Sequence, residues 1–376
     1  MIRNFSYIIQ SLFFFLSGLI KKRRYDVVFY YPQHFNRGEY NENQFFKQLL
    51  LSCDNNNISY IVFEEPDFTI RSQRNNKVVP FDFVYLLIIF LRKLYGSKLT
   101  GLVKDQKIGS LIAKVFFKRF IFNHYITLSQ SMLSIFKGIN PNARFYDLQH
   151  GIIHNNKKNY LVNGLAESNL LVNNANLLLS GKSYKDMLVI NDKSNYFQSH
   201  TFVIGSHVSS SDFIHQQFNG NILVTLQFTH DHSDKENTIL LNELKAFVLS
   251  ADTKVNFYLK HHPRFNNEVD LSEILELPNT HFAPDDINEC FKLCSLHATT
   301  YSTSTFEAAL LGIPTILIHS QNELNFFKTE FIYPLNYGIS DFMDIAVYQK
   351  SAELVKSWSK EYYSPYNELA FLNLLK

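Results

Sequence analysis

Short apolar runs alternate with stretches of helical spacing along this chain, and that alternation restricts its possible folds more than any other feature. Residues 25–31, 60–63 and 143–148 have the length and apolar content of buried strands. Residues 42–53 and 81–95 place apolar side chains at helical intervals. Because strands that alternate with helices form a mostly parallel sheet covered on both faces, the pattern predicts an α/β fold.

The same pattern begins again after a polar segment at residues 206–219, which contains three consecutive serines. Strands are predicted at residues 222–227, 255–259 and 315–318, with a helix at about 236–250 after the first of them. A length of 376 residues also fits two domains. We therefore predict two Rossmann-like domains whose parallel sheets face a cleft.

The number and spacing of the cysteines indicate reduced thiols. Cys53, Cys290 and Cys294 are an odd number, and only the last two share a spacing, C-x3-C, that a helix would put on one face. We interpret all three as reduced core residues, which favours the cytoplasm.

The net charge of +2 conceals two halves of opposite sign. Residues 220–345 contain 17 acidic and 7 basic side chains, whereas residues 1–219 carry a net charge of +11. Each exposed cation near anionic lipid contributes about 1 kcal/mol to binding. The basic half therefore suits an anionic membrane or a polyanionic acceptor; a solvated basic face without a partner is the alternative.

Residues 5–20 form an apolar run that is too short to cross a bilayer. The run has 16 residues, where a spanning helix needs about 20, and four basic residues follow it at 21–24. It also lacks a small-residue cleavage site. This run and a similar one at 81–91 are interpreted as interfacial anchors or buried core helices. We expect a soluble or peripheral protein without a translocated domain.

The first chemically informative segment reads QHGIIH at residues 149–154, directly after a predicted strand. In open parallel sheets, ligands bind outside the carboxyl ends of the strands. Gly151 permits a tight turn there, and the His150 imidazole would act as a general base because it titrates near neutral pH. A structural histidine is the alternative interpretation.

The second segment reads YLKHHPR at residues 258–264, where another strand runs into a polar turn. Lys260, His262 and the neighbouring histidine and arginine supply the donors and cations that hold a phosphate leaving group. A basic surface turn is the alternative. A zinc site is disfavoured because no carboxylate or cysteine lies at a suitable spacing.

The third segment reads HATTYSTSTFEAALLGIPT at residues 297–315, with hydroxyl side chains crowded at the start of a predicted helix. Free amides and hydroxyls at a helix start favour an anion, which indicates phosphate binding by Ser302, Thr303, Ser304 and Thr305. Glu307 would accept hydrogen bonds from ribose hydroxyls, so the pair of features indicates a nucleotide. An ordinary capped helix is the alternative.

The order of these three segments resembles the GT-B-type transferases of bacterial surface glycans. The HG pair in the first domain, the HP pair at 262–263 and the helix start YSTSTFE are similar to CDP-glycerol glycerophosphotransferases, capsule Kdo transferases and HP-motif sialyltransferases. The resemblance covers residues 220–320 and, in the first domain, mainly 143–154. It implies that His150 activates the acceptor, His262 contacts the donor phosphate, residues 302–305 bind phosphate and Glu307 binds the ribose.

We accordingly predict a metal-independent transfer of a sugar, or a polyol phosphate, from a nucleotide-activated donor to a surface-polysaccharide or lipid-linked acceptor. Lys260 would help to neutralise the donor phosphate, and Gly151 and His154 would lie on the acceptor side. No cofactor is expected beyond the co-substrate, for which the relatives with an HP motif suggest CMP or CDP linkage. The expected location is the inner face of the cell membrane, with its anionic surface as a further partner and no nucleic acid.

Two other functions stay open. A nucleotide-sugar 2-epimerase would use the same architecture, although it has no need of a basic half. A non-catalytic scaffold of polysaccharide assembly would keep its function after loss of His150 and His262. The triplet HDH at 230–232 is read either as a metal site or as a donor-proximal or solvated loop.

The predicted organisation has five parts. These are a membrane-associating amphipathic segment (1–24), an acceptor domain (25–207), a linker (208–219), a nucleotide-donor domain (220–345) and a C-terminal helix (346–376) that packs back on the first domain.

Overall fold

The chain folds into two compact α/β units. The computed structural model describes residues 2–36, 42–68, 74–96, 101–155, 157–206, 215–229, 232–252, 254–262, 265, 269–318 and 326–376. One unit comprises Met1–His207 with Pro365–Lys376, and the other comprises Val208–Ser364. Each is built on a parallel sheet, so the prediction of two Rossmann-like domains is confirmed. Most of the predicted linker, residues 208–214, lies outside the described residues.

The first unit contains a seven-stranded parallel sheet in the order β3-β2-β1-β4-β5-β8-β9 and a separate two-stranded hairpin, β6-β7. Its strands are β1 (Arg23–Pro32), β2 (Tyr60–Glu65), β3 (Val79–Pro80), β4 (Phe120–Leu128), β5 (Arg144–Leu148), β6 (Leu161–Val162), β7 (Leu165–Ala166), β8 (Ala175–Leu179) and β9 (Thr201–Val203). Its helices are α1 (Ile2–Ser17), α2 (Gln44–Asn55), α3 (Asp82–Tyr95), α4 (Gly101–Val115), α5 (Leu133–Ile139), α6 (Ser168–Asn173), α7 (Lys182–Asn191), α8 (Tyr196–His200) and, from the far end of the chain, α15 (Glu368–Leu374).

Strand β1 lies inside this sheet, between β2 and β4. Its residues 27–32 are buried without alternation, as expected of a parallel strand covered on both faces. Helix α4 ends at Val115 because Phe120 to Phe122 pair with β1, and this pairing gives their aromatic side chains a place in the sheet.

Helix α1 packs against the same face of this sheet as α3. Phe15 is buried and contacts the rings of Phe63, Phe81 and Phe117 at centroid distances of 5.2 to 5.7 Å. The buried Ser11 Oγ accepts a hydrogen bond of 3.1 Å from the Phe83 amide at the start of α3. One face of α1 therefore belongs to the core of the first unit. Among the described helices, none has both the length and the apolar content to cross a membrane.

The last residues of the chain complete the core of the first unit. Phe371 on α15 is fully buried in the cluster that contains Phe46 and Leu49 of α2. The Asn367 amide donates to the Ile204 carbonyl at 2.8 Å. The segment predicted as one C-terminal helix over 346–376 is therefore divided between the units, with residues 365–376 in the first.

The second unit contains a five-stranded parallel sheet in the order β12-β11-β10-β13-β14. Its strands are β10 (Asn221–Thr225), β11 (Asn256–Lys260), β12 (Thr280–Phe282), β13 (Leu296–Thr299) and β14 (Thr315–Leu317). Its helices are α9 (Asp234–Leu249), α10 (Ser272–Leu275), α11 (Ile287–Leu293), α12 (Ser304–Leu310), α13 (Phe326–Phe331) and α14 (Ile345–Tyr362). The sequence prediction omitted β12 and β13, which are short and partly polar.

The second unit is closed by α14, which packs on α12. Trp358 of α14 stacks on Phe306 of α12 with ring centroids 4.8 Å apart and planes at 6°.

The three cysteines are buried free thiols, and burial raises the pKa of Cys53 to about 12. Their burial agrees with the interpretation as core residues.

Candidate active site

The carboxyl edge of the second sheet gathers two of the segments singled out in the sequence. Strands β11 and β13 flank β10, and the three end at Lys260, Thr299 and Thr225. With about 4.8 Å between neighbouring strands, the ends of β11 and β13 are about 10 Å apart. The segment after β11 contains His262 and the segment after β13 contains Ser302. One edge therefore presents both, at the position where parallel sheets bind ligands.

A buried histidine fixes the geometry of this edge. His297 of β13 is inaccessible to solvent, and its Nε2 lies 2.9 Å from Thr225 Oγ1 and 3.1 Å from Ser304 Oγ. On the other side of the ring, Nδ1 lies 2.9 Å from Thr315 Oγ1. Burial lowers the pKa of His297 to about 3. The imidazole is therefore neutral at ordinary pH and joins three strands to the start of α12.

This network determines which hydroxyls of residues 302–305 are available to a ligand. Ser304 and Thr305 are buried, and the Ser304 hydroxyl donates to Ser302 Oγ at 2.7 Å within the network. Ser302 is half-buried and Thr303 is exposed. Helix α12 has only seven residues, and its N-cap residue Thr303 makes no side-chain capping bond. The predicted set of four hydroxyls is thus reduced to Ser302 and Thr303.

Two further groups lie beside Ser302 and Thr303. The Tyr301 hydroxyl is 2.6 Å from His232 Nε2, which connects this edge to the loop after β10. Glu307 is half-buried in the first turn of α12, and burial raises the pKa of its carboxyl. Residues 230–231 of the predicted metal triplet lie outside the described residues.

Lys260 is directed to the other side of its strand. Its Nζ donates to the carbonyls of Pro284 and Asp285 at 2.8 and 2.6 Å. These residues follow β12, which lies across β11 from β13. The structure therefore does not bring the Lys260 ammonium together with residues 302–305, because two backbone carbonyls hold it elsewhere.

His262 lies two residues beyond the end of β11 and is half-buried. Its carbonyl accepts a hydrogen bond of 2.9 Å from the Phe265 amide. The neighbouring His261 stacks on Phe265 at 3.8 Å, and burial and the Lys260 charge lower its pKa. Residues 263–264, the proline and arginine of the predicted motif, lie outside the described residues.

In the first unit, His150 follows β5 and lies at the carboxyl edge of its own sheet. Its Nε2 is 3.1 Å from Ser129 Oγ, and the ring packs edge-on against Phe35 at 5.1 Å. His150 is half-buried, and these contacts hold its imidazole on the sides of Ser129 and Phe35.

The Ser129 hydroxyl is presented by an unusual turn at the end of β4. Ser129 and Gln130 both have left-handed backbone conformations, with φ of 56° and 55°. The Gln130 amide donates to Asp147 Oδ1 at 2.7 Å, which holds this turn in place. Burial raises the pKa of Asp147 to about 7, while the Gln130 amide and the Tyr160 hydroxyl oppose the shift. Two adjacent residues in this conformation cost energy, so the tertiary contacts must maintain them.

The two remaining predicted residues lie near His150. A side chain at Gly151 would enter open space, and its carbonyl accepts a hydrogen bond of 2.9 Å from Gln149 Nε2. His154 is half-buried, and its carbonyl accepts from the Lys157 amide at 2.9 Å. Both therefore lie in the loop that leaves the carboxyl edge of β5.

Sequence reasoning missed the residues that position the two edges. Thr225 and His297 act in the second unit, and Ser129 and Asp147 in the first. A histidine between the apolar residues Leu296 and Ala298 was a usable signal for a buried His297. The sequence did not predict the Ser129 turn, because serine and glutamine are not typical of left-handed backbone.

In the described part of the chain, no three His, Cys, Asp or Glu side chains are grouped so as to hold a metal ion.

The fold is found in solved structures, although no protein-family model and no curated protein sequence matches the chain. The wall teichoic acid polymerase TagF is similar with a TM-score of 0.51 and 12% identity, over 100% of this chain and 96% of that chain. The UDP-GlcNAc 2-epimerase from Methanocaldococcus jannaschii has a TM-score of 0.50 and 12% identity, over 93% and 98%. The S. aureus MnaA-UDP co-structure has a TM-score of 0.50 and 11% identity, over 94% and 95%.

At this level of identity the comparisons establish the fold alone. They confirm the two-Rossmann GT-B architecture expected from the motifs, which is shared by a polymerase and by epimerases. The structural neighbours of the chain are thus GT-B enzymes, of transferase or epimerase activity.

Proposed function

We propose that the chain is a GT-B transferase that moves a sugar or a polyol phosphate from a nucleotide-activated donor to a surface-polysaccharide or lipid-linked acceptor, at the inner face of the cell membrane. The observation that carries the proposal is the carboxyl edge of the second sheet. There, Ser302, Thr303 and Glu307 follow β13, and His262 follows the strand two positions away. Hydroxyl and imidazole donors suit phosphate oxygens, and a carboxylate suits ribose hydroxyls.

The network around His297 supports this role because it makes the edge rigid before a ligand arrives. Its hydrogen bonds join β10, β13, β14 and α12 with no charged group. Donors fixed in advance stabilise the charge that develops on a leaving phosphate without reorganising during the reaction. The H444N variant of TagF soaked with CDPG and MnaA in its co-structure with UDP share the fold, which supports a nucleotide-linked donor.

In the first unit, we assign the acceptor-activating role to His150. Its imidazole would take the proton of the acceptor hydroxyl as the acceptor oxygen attacks the donor. The bond to the leaving nucleotide phosphate breaks, and Ser302, Thr303 and His262 stabilise that charge. The hydrogen bond to Ser129 and the packing on Phe35 fix the orientation of the ring, as a general base requires.

A second candidate is a nucleotide-sugar 2-epimerase, because epimerases share the fold at a comparable TM-score. The two functions differ in their products. An epimerase converts its nucleotide sugar without an acceptor, whereas a transferase releases free nucleotide only as an acceptor is consumed. Incubation with UDP-GlcNAc and with sugar conjugates of the preferred nucleotide, without acceptor and followed by NMR of the sugar, tests for the epimerase product.

Binding of nucleotides tests the second-unit site. Calorimetry with CMP, CDP, UDP, GDP and dTDP should show one preferred nucleotide, and the double variant S302A/E307Q should bind it at least about tenfold more weakly through loss of two polar contacts. The control E276Q removes an exposed carboxylate at the end of α10 and should bind normally. Failure of all five nucleotides to bind at millimolar concentration would refute the proposal.

Turnover tests the role of His150. With the nucleotide found above and its sugar conjugates, H150Q should reduce transfer by about 100-fold or more while nucleotide affinity stays unchanged. H281Q, which alters an exposed imidazole in the second unit, is the matched control. Full transfer by H150Q would refute the role of His150 as the base and would show that another group takes the acceptor proton.

A further inference from the structure

Helix α1 exposes an apolar stripe on the face opposite its core contacts. Phe5, Ile9, Phe13 and Leu16 are spaced by three and four residues and therefore share one face. Phe5 and Phe13 are 63% and 67% exposed, although Phe15 on the opposite face is buried. An amphipathic helix of a globular domain would expose polar residues here.

Helix α3 exposes a second stripe of the same kind. Leu86, Phe90 and Leu94 are four residues apart, and Phe90 and Leu94 are 56% and 66% exposed. Helices α1 and α3 pack against each other over the same aromatic core, through Phe15 and Phe81. Because both bury one face against that core, their apolar stripes lie on the same outer side of the first unit and form one surface, here called the α1/α3 surface.

The charge around the α1/α3 surface has one sign. Lys21 and Lys22 follow α1 and are exposed, as are Lys93 at the end of α3 and Lys118 and Arg119 before β4. The acidic residues of α3 and α4 do not offset this charge. Asp82 is buried against Arg74 at 2.6 Å, and Asp105 pairs with Arg92 at 2.7 Å. The exposed cations therefore remain without neighbouring acidic side chains on these helices.

We infer that the α1/α3 surface is a membrane-docking site, with both helices lying in the interface of an anionic bilayer. Exposed aromatic and aliphatic side chains would enter the headgroup and acyl boundary, and the basic rim would contact anionic headgroups. The charge argues for lipid over a second copy of the chain, because two like-charged rims would repel each other in a symmetric dimer. Packing of α1 into the core explains how a helix too short to cross a bilayer can still anchor the protein.

Vesicle binding of the intact chain tests the inference without donor or acceptor, so its outcome is independent of nucleotide binding. The chain should sediment with vesicles of phosphatidylcholine and phosphatidylglycerol and much less with phosphatidylcholine alone. F13S/F90S should lower the partition coefficient at least about tenfold through loss of apolar insertion. The control I190S/L249S removes equally exposed apolar side chains elsewhere and should bind like the unmodified chain.

Charge reversal tests the contribution of the basic rim, and a site-specific fluorophore tests the insertion of α1. K21E/K22E should lower binding by about fivefold or more per cation, whereas the exposed pair changed in K350E/K360E should not. The three native cysteines are buried, so an environment-sensitive fluorophore can label F13C or the control L249C selectively. The label at position 13 should shift to the blue with anionic vesicles, and the label at 249 should not.

Three results would overturn the inference. They are equal binding by F13S/F90S and the unmodified chain, an unshifted label at position 13, and a lipid-free dimer that F13S/F90S converts to monomer. The last result would assign the surface to self-association. Circular dichroism of each variant shows that it folds, and since all the altered side chains are exposed, loss of binding then reports the surface itself.

Discussion

At the residue scale, the His297 imidazole is enclosed by hydroxyl groups and excluded from water. In the unfolded chain its pKa would be near 6.5, against about 3 in the folded unit. Between these values the unfolded chain binds the additional proton. The contribution of His297 to stability is therefore complete above pH 6.5 and is lost as the pH falls toward 3.

Replacement of His297 tests that linkage. H297Q should lower the free energy of unfolding of the second unit by about 2–4 kcal/mol at pH 7, because buried hydrogen bonds are lost. The unmodified protein should lose about 1.4 kcal/mol more per pH unit below 6.5 than the variant does. The single tryptophan, Trp358, stacks on Phe306, so its fluorescence reports the second unit during denaturant unfolding. Equal slopes in H297Q and the unmodified protein would contradict the assignment, and H281Q is the control.

A substitution at Thr305 should raise the stability of the second unit, whereas H297Q should lower it. Its side chain is fully buried, and the described residues offer its hydroxyl no hydrogen-bond partner. T305V keeps the shape of the side chain and removes the unsatisfied group, so it should stabilise the second unit by about 1 kcal/mol. Nucleotide affinity should stay unchanged. A loss of affinity in T305V would instead restore Thr305 to the phosphate-binding set predicted from the sequence.

At the element scale, α4 and α5 approach each other through two glycines. A Cβ at Gly109 would lie 2.1 Å from the Ile135 carbonyl oxygen, and one at Gly138 would lie 2.1 Å from that of Gln106. Both obstacles are backbone atoms, which cannot rotate away. The contact between these helices therefore depends on the absence of side chains at both positions.

Substitution of glycine on α4 should therefore depend on position. G109A should destabilise the first unit by about 3 kcal/mol, because the helices must separate. G101A meets no atom within 4 Å and should be neutral or stabilising by up to about 1 kcal/mol. Thermal unfolding followed by circular dichroism measures both, and similar melting temperatures for the two variants would contradict the close approach.

Elements with a single strong periodicity could be predicted from the sequence, whereas those without one could not. The apolar run at 25–31 and the helical spacing at 42–53 correspond to β1 and α2. Strand β13 was missed because its buried residues include His297 and Thr299. Helix α1 is apolar on most of its circumference, so periodicity could not say which face enters the core. The sequence also could not show which hydroxyls of residues 302–305 are buried, because their direction depends on the buried partner His297.

At the scale of the whole molecule, the two units have separate cores, and the polypeptide passes from one to the other twice. Gly205 and Pro365 lie together where it returns to the first unit. A Cβ at Gly205 would lie 2.1 Å from the Pro365 carbonyl oxygen, and the φ of Gly205 is +82°. Only glycine combines that conformation with that proximity.

Loss of the Phe371 side chain should accordingly affect one unit and not the other. F371A leaves a cavity in the cluster with Phe46 and Leu49, which should cost about 3–5 kcal/mol. Hydrogen exchange measured by mass spectrometry should accelerate in β1 and β2 and stay unchanged in β10 and β13. Equal acceleration in both sheets would show that the units do not unfold independently.

The position of α15 has a consequence for biosynthesis. On the ribosome, a domain generally folds once its own residues have emerged. Here, everything from Val208 to Ser364 must be translated before Phe371 exists to fill its place in the first unit. Until then, the apolar side chains of α2 that contact Phe371 in the folded protein remain uncovered in the nascent chain. A chaperone that covers them until translation is complete would protect the protein from aggregation.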